Sequence, residues 1–365
     1  LIKPLGILPF FVHLWSLESS TGKTVAQMLG ASVWGEPSSG KGYFVNFKSP
    51  SVGLEMIAGF LHSLPVFIDE LQMAKDYQGK IKFNVYELAS GSGKLRSNRS
   101  LGLNYTPTWD TCFITSGETP ITSDTDGEGA LNRVFEIECY ASNLVIRDGH
   151  RTAGALRDNY GHAGRMFIEK LLDGDEDVMQ RPNILAVQQK YEEYYQACIS
   201  NNTTQKQAMA AAALLTADHF ATEWIFQDGK QLTVEEISEF LKTKERVSLM
   251  DRGYDLLCDW VAINANRMKG IKDEDKGDCY GVVEGNIAYI IRSVFSRVCA
   301  ENALNEKGML SHLRSRKRIM VGQKGYTMSH YIGGGQSPNC VCLILPQTVE
   351  NSRFSELPDG EEPPF

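Results

Sequence analysis

Short apolar runs alternate with helical patterns along the first part of the chain. Residues 8–17 (LPFFVHLWSL) predict a buried strand, and residues 24–32 predict the helix that follows it. Three later apolar runs predict further strands, at 64–68, 112–115 and 134–137. Apolar strands that alternate with helices are typical of a buried parallel sheet. The pattern therefore predicts an α/β domain over residues 1–150.

Helical periodicity alone continues from 151 to 268, which predicts a helical region without strands. The stretch 269–278 (KGIKDEDKGD) is polar and punctuated by glycine, and it predicts a linker. The last residues, 349–365, carry five acidic side chains and three prolines, and they predict a flexible tail.

Residues 279–348 combine helical and strand patterns. Apolar residues at helical spacing over 287–298 predict one helix, and a second helical pattern covers 306–317. Two strand-like pieces follow, at 326–332 and 340–345, with a glycine-rich turn between them. Helix, helix and β-ribbon in this order are typical of a winged helix-turn-helix domain.

The composition is slightly acidic, with 37 Lys and Arg against 45 Asp and Glu among the 365 residues. This balance excludes a DNA-binding protein that is basic over its whole surface, but it allows DNA contacts through local basic patches. The apolar runs are far shorter than the ~20 residues of a membrane span, so we expect no membrane partner. Eight scattered cysteines indicate reduced thiols of a cytoplasmic protein. The chain begins at Leu1, and we expect it to be a piece of a longer protein.

The strongest chemical signal lies between the first predicted strand and the first predicted helix. Such a loop presents backbone N–H groups to phosphates, Lys23 can reach the β and γ phosphates, and the Thr24 hydroxyl can ligate Mg²⁺. The pattern departs from a complete phosphate loop at Leu17, where a glycine is expected. A chance match and a degenerate loop that binds nucleotide but hydrolyses it slowly are the alternatives. The predicted nucleotide-binding residues of this loop are Ser19, Ser20, Thr21, Gly22, Lys23 and Thr24.

Polar residues at the ends of two later strands complete a hydrolytic site. Asp69 and Glu70 end the second apolar run, where Asp69 would hold the Mg²⁺ and Glu70 would polarise the attacking water. Thr115 and Ser116 end the third run, and either can contact the γ-phosphate or the water. Arg133 precedes the fourth run and suits an arginine supplied by a neighbouring subunit, although a surface arginine would have the same spacing.

Two stretches, 80–99 and 311–330, are rich in basic residues and poor in acidic ones. In the first, Gly91 and Gly93 allow a sharp bend, which predicts a hairpin-like excursion suited to gripping a phosphate backbone. The second lies at the end of the last predicted helix, where DNA contact is plausible on a winged helix. A solvated loop and a wing that docks on a neighbour are the respective alternatives. The predicted DNA-binding residues are Lys94, Arg96, Arg99, Arg314, Arg316, Lys317 and Arg318.

The motifs together resemble the DUF927 family, AAA+ ATPases of phages and mobile elements that are similar in plan to MCM-like replicative helicases. The resemblance rests on SSTGKT (19–24), SVWG (32–35), FIDELQ (67–72), YELASGSGKLRSNRS (86–100), TSGE (115–118) and YGHAG (160–164). It implies a P-loop AAA+ core at 1–150, a helical lid at 151–268 and the winged helix at 279–348.

The same resemblance implies ATP and Mg²⁺ as cofactors and a ring, expected to be a hexamer, that moves along single-stranded DNA. Lys23 and Thr24 match the family's Walker A residues, and Arg133 resembles the arginine finger of MCM-like ATPases. The leading hypothesis is therefore a DNA-dependent ATPase and helicase motor of a mobile element, with replication partners. The alternatives are a nucleotide-switched DNA-binding scaffold with weak or no hydrolysis, and a degenerate ATPase that serves as a winged-helix DNA-binding module.

Overall fold

The computed structural model describes most of the chain, and its residues fall into two compact units, Leu1–Val247 and Ser248–Phe365. The predicted tail at 349–365 and most of the predicted linker, at 272–277, lie outside the described residues. Those residues are 1–38, 43–48, 51–74, 83–97, 102–123, 126–143, 146–174, 181–199, 202–271, 278–302, 304–322 and 325–346.

The first unit is built on a five-stranded parallel sheet with the strand order β2-β3-β4-β1-β5. This confirms the predicted parallel sheet, and it adds β2, which the hydrophobic pattern did not predict. The strands are interleaved with helices, as parallel connections require. Their bounds are β1 Phe10–Trp15, β2 Phe44–Asn46, β3 Val66–Asp69, β4 Cys112–Gly117 and β5 Val134–Glu138.

Aromatic and branched side chains from the central strands form the core of this sheet. Phe11 on β1 and Phe113 on β4 are fully buried and stack with their ring centroids 4.8 Å apart. Val66, Phe67 and Ile68 are buried on both faces of β3, which is why that strand reads as an unbroken apolar run. Because β1, β3 and β4 are parallel neighbours, the loops after their carboxyl ends meet at one edge of the sheet.

Helix α2, Lys23–Ser32, begins at the end of the predicted phosphate loop. Gly22 precedes it with φ of 80°, a left-handed conformation that glycine adopts without strain. Gln27 is buried and donates its side-chain N–H groups to the carbonyls of Ile68 and Ile114, at 3.1 and 3.0 Å. These two bonds tie α2 to β3 and β4.

The remaining helices of the first unit surround the sheet. Three short ones precede the predicted helical region: α1 Ile2–Leu5, α4 Val85–Ala89 and α5 Glu128–Leu131. The predicted helical region opens with α6 Gly149–Asp158 and α7 His162–Leu171. It continues with the longer α8 Pro182–Cys198 and α9 Gln205–Ala221, followed by α10 Val234–Ser238 and α11 Lys244–Val247. Helix α3, Ser51–Leu61, joins β2 to β3.

The basic stretch between α4 and β4 forms a hairpin-like excursion, as predicted. Antiparallel bridges join Ser92 to Thr108 and Ser97 to Leu103. The excursion leaves α4 at Gly91, whose φ of 78° lies in the left-handed region expected for the bend. Its tip, residues 98–101, lies outside the described residues and includes Arg99.

The second unit packs three helices against an antiparallel sheet with the path β6-β7-β10-β8, and β9 also pairs with β10. Its helices are α12 Leu249–Ile263, α13 Arg292–Glu301 and α14 Glu306–Ser315. Its strands are β6 Gly281–Glu284, β7 Ile287–Ile291, β8 Ile319–Met320, β9 Met328–Ser329 and β10 Asn339–Ile344.

The structure of this unit differs from the sequence-based predictions in one helix boundary and in the start of the unit. The helix predicted over 287–298 begins only at Arg292, because Ile287–Ile291 forms β7 after a two-residue turn at Gly285 and Asn286. A short apolar run fits helical and strand spacing equally well, and here the pairing with β6 and β10 decides. The unit also begins at Ser248, earlier than the predicted 279, because Tyr254, Leu257 and Val261 of α12 belong to its core.

Candidate functional site

The loop between β1 and α2 has the backbone of an anion-binding site. Ser20 and Gly22 have φ of 61° and 80°, and no side chain caps the N-terminus of α2. The ammonium group of Lys23 folds over the loop, donating to Thr21 Oγ1 at 2.9 Å and to the carbonyl of Glu18 at 3.3 Å. Ser19 is exposed beside them. The first amides of the helix and one ammonium group therefore face the same space, which suits an anionic ligand.

The Asp69 carboxylate, at the end of β3, joins three elements. It accepts hydrogen bonds from Thr24 Oγ1 at 3.3 Å, from the Ser116 hydroxyl and from the backbone N–H of Glu70 at 3.0 Å. Asp69 is only 8% exposed, so these bonds fix its orientation. The structure thus brings together Thr24, Asp69 and Ser116, which the sequence placed on three separate segments.

Glu70 follows Asp69 with φ of 65°, an uncommon conformation for a residue with a side chain. Its N–H also donates to Ser116 Oγ at 3.3 Å, so the β4 hydroxyl helps to hold this turn. Residues kept in sparsely populated conformations cluster at functional sites, where the surrounding contacts impose them.

The two candidates at the end of β4 point in different directions. Ser116 bonds to Asp69, whereas Thr115 lies fully buried and its Oγ1 is 2.8 Å from His13 Nδ1. Alternation along a strand sends neighbouring side chains to opposite faces, so only one of the two can face Asp69. His13 is also fully buried, with Nε2 3.0 Å from the carbonyl of Thr119. Burial lowers its pKa from 6.5 to about 4, so the ring is neutral at pH 7.

Arg133 lies between α5 and β5. Its guanidinium carbon is 5.6 Å from the centroid of the Tyr86 ring, and Nη1 donates to the carbonyl of Gly129 at 3.3 Å. The buried Nε has no hydrogen-bond partner among the described residues. The described contacts of Arg133 therefore hold its side chain beside α4 and α5, and the phosphate loop is not among them.

Two clefts adjoin the phosphate loop, and both are partly walled by α6, which the sequence patterns did not connect with the site. One, of about 360 Å³, is lined by the loop residues from Ser20 to Val25 and by Ile146, Arg147, Gly149 and His150. The other, of about 660 Å³, is lined by Thr24, Met28, Glu36, Ser38, Phe44, Asn46, Asp69, Glu70 and Arg157. No family motif pointed to Arg147, His150 or Arg157.

The donor set at this edge of the sheet fits a magnesium-bound nucleotide. Free helix-start amides and Lys23 match phosphate oxygens, and the Thr24 hydroxyl and the Asp69 carboxylate supply the hard oxygen ligands that Mg²⁺ prefers. Leu17, in place of the expected glycine, is 79% exposed.

The predicted DNA-binding residues of the hairpin differ in their surroundings. Arg96 forms two bonds to the buried carboxylate of Glu55, at 2.7 and 3.0 Å, and the Arg96 bond is the main reason that the pKa of Glu55 is lowered. Lys94 is 58% exposed and pairs with Glu87 at 2.7 Å. The Arg96 guanidinium therefore holds the hairpin to α3, while Lys94 remains accessible, and the assignment of these residues to DNA binding stays a prediction.

The basic residues at the end of α14 also differ in their surroundings. Arg316 and Arg318 lie 3.4 and 3.3 Å from carboxylate oxygens of the buried Asp251 on α12. Arg318 also lies over the Tyr254 ring, at 4.0 Å. Arg314 and Lys317 are exposed and form no ion pair to a described residue, and Lys317, two residues beyond the end of α14, has φ of 54°. Of the four basic residues, Arg318 is therefore the most firmly committed to the unit's own packing.

Two segments of the chain match known protein families. Residues 1–104 match the family model described as domain of unknown function DUF927. This confirms the predicted resemblance over that segment. Residues 248–348 match the Cch helix turn helix domain, and this match begins at Ser248, where the second unit begins. Each model covers less than half of the chain, and no curated protein matches it.

The fold is similar to that of a solved structure described as "SCCmec type IV Cch - active helicase", with a TM-score of 0.66 and 18% sequence identity. The alignment covers 93% of this chain and 62% of that one, so the chain spans less than two thirds of its relative. The apo structure of the NrS-1 C terminal region aligns with a TM-score of 0.29 and 12% identity, over 94% of this chain and 67% of that one. No helix among the described residues is long and apolar enough to span a membrane.

Proposed function

We propose that the chain is the ATP-driven translocase or helicase motor of a phage or mobile-element replication system, acting on DNA as a ring, expected to be a hexamer. The observation that carries this proposal is the bonding of Thr24 and Ser116 to the Asp69 carboxylate beside Lys23. The DUF927 and Cch matches support membership of a helicase-like family of mobile elements. The fold similarity to an active helicase supports the same conclusion.

The proposed domain roles are those expected from the sequence, except that the last domain begins at Ser248. Residues 1–150 act as a P-loop AAA+ core, the helices that follow act as its lid, and the second unit acts as a winged helix that contacts DNA. The strand order, with β1 between β4 and β5, supports the P-loop assignment. We further propose a cytoplasmic site of action, single-stranded DNA in the pore and other replication proteins as partners.

ATP hydrolysis follows from the groups around Asp69. Loop amides from Ser19 to Thr24 bind the phosphates, and Lys23 attracts the β and γ phosphates. Thr24 and Asp69 would hold Mg²⁺, which neutralises charge on the phosphates when bound. Glu70 orients and polarises a water molecule, whose oxygen attacks the γ-phosphorus while the bond to the β–γ bridging oxygen breaks, giving ADP and phosphate. Of the two β4 candidates, the contacts favour Ser116 over Thr115 at this site.

Arg133 enters the proposal as the residue that completes the site of the neighbouring subunit. An arginine supplied in this way stabilises the charge that develops on the transferred phosphoryl group. A ring also reconciles the net charge of −8 with DNA binding, because only the pore needs to be basic. Lys94 and Arg99 of the hairpin supply that charge, together with Arg314 and Lys317 of the second unit.

The test is ATP hydrolysis by the purified chain with and without single-stranded DNA, in the presence of Mg²⁺. We expect stimulation by DNA and its loss in Lys23→Ala. If the wild-type chain hydrolyses no ATP under either condition, the motor proposal for this chain fails.

A second candidate function is a nucleotide-switched DNA-binding scaffold with weak or no hydrolysis. Leu17 in place of glycine and the bonding of Lys23 to its own loop are the observations that favour it. ATP-dependent DNA binding without turnover would support the scaffold over the motor.

A further inference from the structure

Gln207, in the first turn of α9, is bonded to the backbone on both sides of Arg133. Its side-chain amide donates to the carbonyls of Leu131 and Val134, at 3.1 and 3.3 Å. Its side-chain oxygen accepts the backbone N–H of Lys242 at 3.4 Å. The side chain is fully buried, and both of its polar atoms have partners inside the protein. One side chain of the helical region therefore holds the residues that flank the candidate arginine.

A second residue of the α9 start contacts the same segment. Thr204 and Gln207 have the spacing of a capping box, in which the glutamine would bond back to the backbone N–H of the threonine. Here Thr204 accepts the Gln207 N–H at 3.4 Å, while the Gln207 amide reaches across to β5 instead. Thr204 also donates its hydroxyl to Asn132 Oδ1 at 2.5 Å. The start of α9 thus holds the backbone and one side chain of residues 131–134.

The position of Arg133 depends on such contacts from distant parts of the chain. It follows α5, a helix of four residues, which is too short to be stable by itself. The N–H of Phe11 on β1 donates to the carbonyl of Arg133 at 2.7 Å, and the bonds from α9 add a second attachment. Because a misplacement of about 1 Å can cost a reaction about 100-fold in rate, the hold on this backbone can decide how well the arginine works.

A purely structural role for Gln207 is the alternative. The carbonyls at the end of a helix lack partners within the helix, and Leu131 is the last residue of α5. Gln207 would then only satisfy buried carbonyl groups and contribute to the stability of its own subunit. The two roles differ in which subunit's nucleotide site loses activity when Gln207 is replaced, and this difference can be measured.

We propose that Gln207 is a positioning residue that holds the Arg133 backbone where the guanidinium group can reach the nucleotide of the neighbouring subunit. This inference rests on the proposed ring ATPase and on the action of Arg133 between subunits. It links the helical region of one subunit to hydrolysis in the next, and it assigns Gln207 no contact with nucleotide in either subunit.

Steady-state ATPase rates and the binding of fluorescent ADP are measured for the wild-type chain, Gln207→Met and the matched control Gln196→Met. Methionine is similar in size to glutamine but cannot donate these hydrogen bonds. We expect Gln207→Met to lower kcat by about tenfold or more, with little change in KM or ADP affinity, because its own phosphate loop keeps its contacts. Gln196 is exposed and bonds to Glu192 on its own helix, so its replacement should match the wild type. An unchanged kcat in Gln207→Met would overturn the proposal.

Mixed chains show which subunit's site the defect belongs to. Gln207→Met mixed with Lys23→Ala should regain activity, because a site with an intact Lys23 then receives a correctly held Arg133 from its neighbour. Gln207→Met mixed with Arg133→Ala should regain none, because neither chain supplies the arginine properly. A structural defect in the variant's own site would give the reverse pattern. Recovery with Arg133→Ala, or no recovery with Lys23→Ala, would therefore overturn the proposal.

Thr204 provides a second test if melting temperatures show that Gln207→Met does not fold. Thr204→Val removes the hydroxyl that bonds to Asn132, and it should lower kcat less than Gln207→Met does, with the same mixing pattern. Thr204→Ser should recover most of that loss, because serine can donate the same bond. The reverse mixing pattern for Thr204→Val would overturn the proposal.

Failure of this inference can be told apart from failure of the proposed function. If the wild-type chain hydrolyses no ATP, the motor fails and the role of Gln207 fails with it. If Arg133→Ala and Lys23→Ala restore each other's activity but Gln207→Met does not follow the pattern of Arg133→Ala, the motor stands and the role of Gln207 alone is refuted.

Discussion

Ser116, at the end of β4, donates its hydroxyl to the carboxylate of Asp69, at the end of the adjacent parallel strand β3. The neighbouring Thr115 points the other way and bonds to the buried His13. One hydroxyl therefore serves the candidate nucleotide site, and the other belongs to the interior of the sheet.

This division predicts different effects for two adjacent substitutions. Ser116→Ala should lower kcat for ATP hydrolysis by about 100-fold, because Asp69 and the Glu70 turn lose a positioning bond, and should cost about as much stability as Thr115→Val. Steady-state kinetics measures kcat, and thermal unfolding measures the change in stability. Thr115→Val is the matched control, and it should cost about 1–3 kcal/mol of stability through loss of the buried bond to His13. Equal kinetic losses in both variants would contradict the assignment.

His13 predicts a pH dependence of stability. Its pKa falls from 6.5 to about 4 on folding, chiefly because burial penalises the charged ring. The unfolded chain therefore binds this proton more tightly, and stability is fully present above pH 6.5 and is lost as the pH falls toward 4. We expect the free energy of unfolding to drop by about 2 kcal/mol between pH 7 and pH 5 from this group.

Chemical denaturation at the two pH values, compared between the wild type and His13→Gln, measures that contribution. Other groups that titrate in this range affect both proteins, so their difference isolates His13. A wild-type decrease no larger than that of His13→Gln would refute the prediction.

The hairpin predicts that Lys94 and Arg96, two positions apart in the sequence, have separable roles. Lys94→Ala should reduce DNA stimulation of ATP hydrolysis and leave thermal stability close to that of the wild type, because Lys94 is exposed. Arg96→Ala should lower the melting temperature clearly, because it leaves the buried Glu55 carboxylate without its partner. Glu55→Gln combined with Arg96→Ala should restore part of that loss, and no restoration would argue against the pairing as the cause.

In the second unit, the contacts of Asp251 separate structure from DNA binding. Arg314→Ala and Lys317→Ala should each weaken DNA binding and reduce the salt dependence of the binding constant by about one phosphate contact. Asp251→Ala should instead destabilise the unit by on the order of 2 kcal/mol, because His312, Arg316 and Arg318 lose their shared acceptor. An unchanged salt slope in both basic variants would remove the DNA assignment from this surface.

The proposed ring predicts complementation between subunits. Arg133→Ala and Lys23→Ala should each lack ATPase activity alone, and mixing them should restore part of it, because a site with an intact Lys23 can receive Arg133 from its neighbour. ATPase rates at several mixing ratios measure the effect. A mixture no more active than its components, while the wild type forms rings, would exclude Arg133 as a residue acting between subunits.

Local sequence patterns predicted most strands of the parallel sheet and the start of α2, because these features depend on short-range chemistry. The apolar runs at 64–68 and 112–115 specified buried strands, and the residues Gly22, Lys23 and Thr24 after a strand specified a glycine turn and a helix start. They failed over Ile287–Ile291, where apolar spacing fitted both a helix and a strand and only pairing with β6 and β10 decided. They also missed β2, whose three residues are too few to show a period.

The sequence by itself determined which chemical groups this protein carries. They are a lysine and a threonine at a helix start, Asp69 and Glu70 at a strand end, and the two basic stretches at 80–99 and 311–330. The tertiary structure decided what each group faces. It turned Ser116 rather than Thr115 toward Asp69, engaged Arg96 and Arg318 with buried carboxylates, and brought Arg157 into the cleft beside Glu70. The physical reason is that ion pairs and buried hydrogen bonds depend on distances between segments far apart in the chain, which local periodicity does not encode.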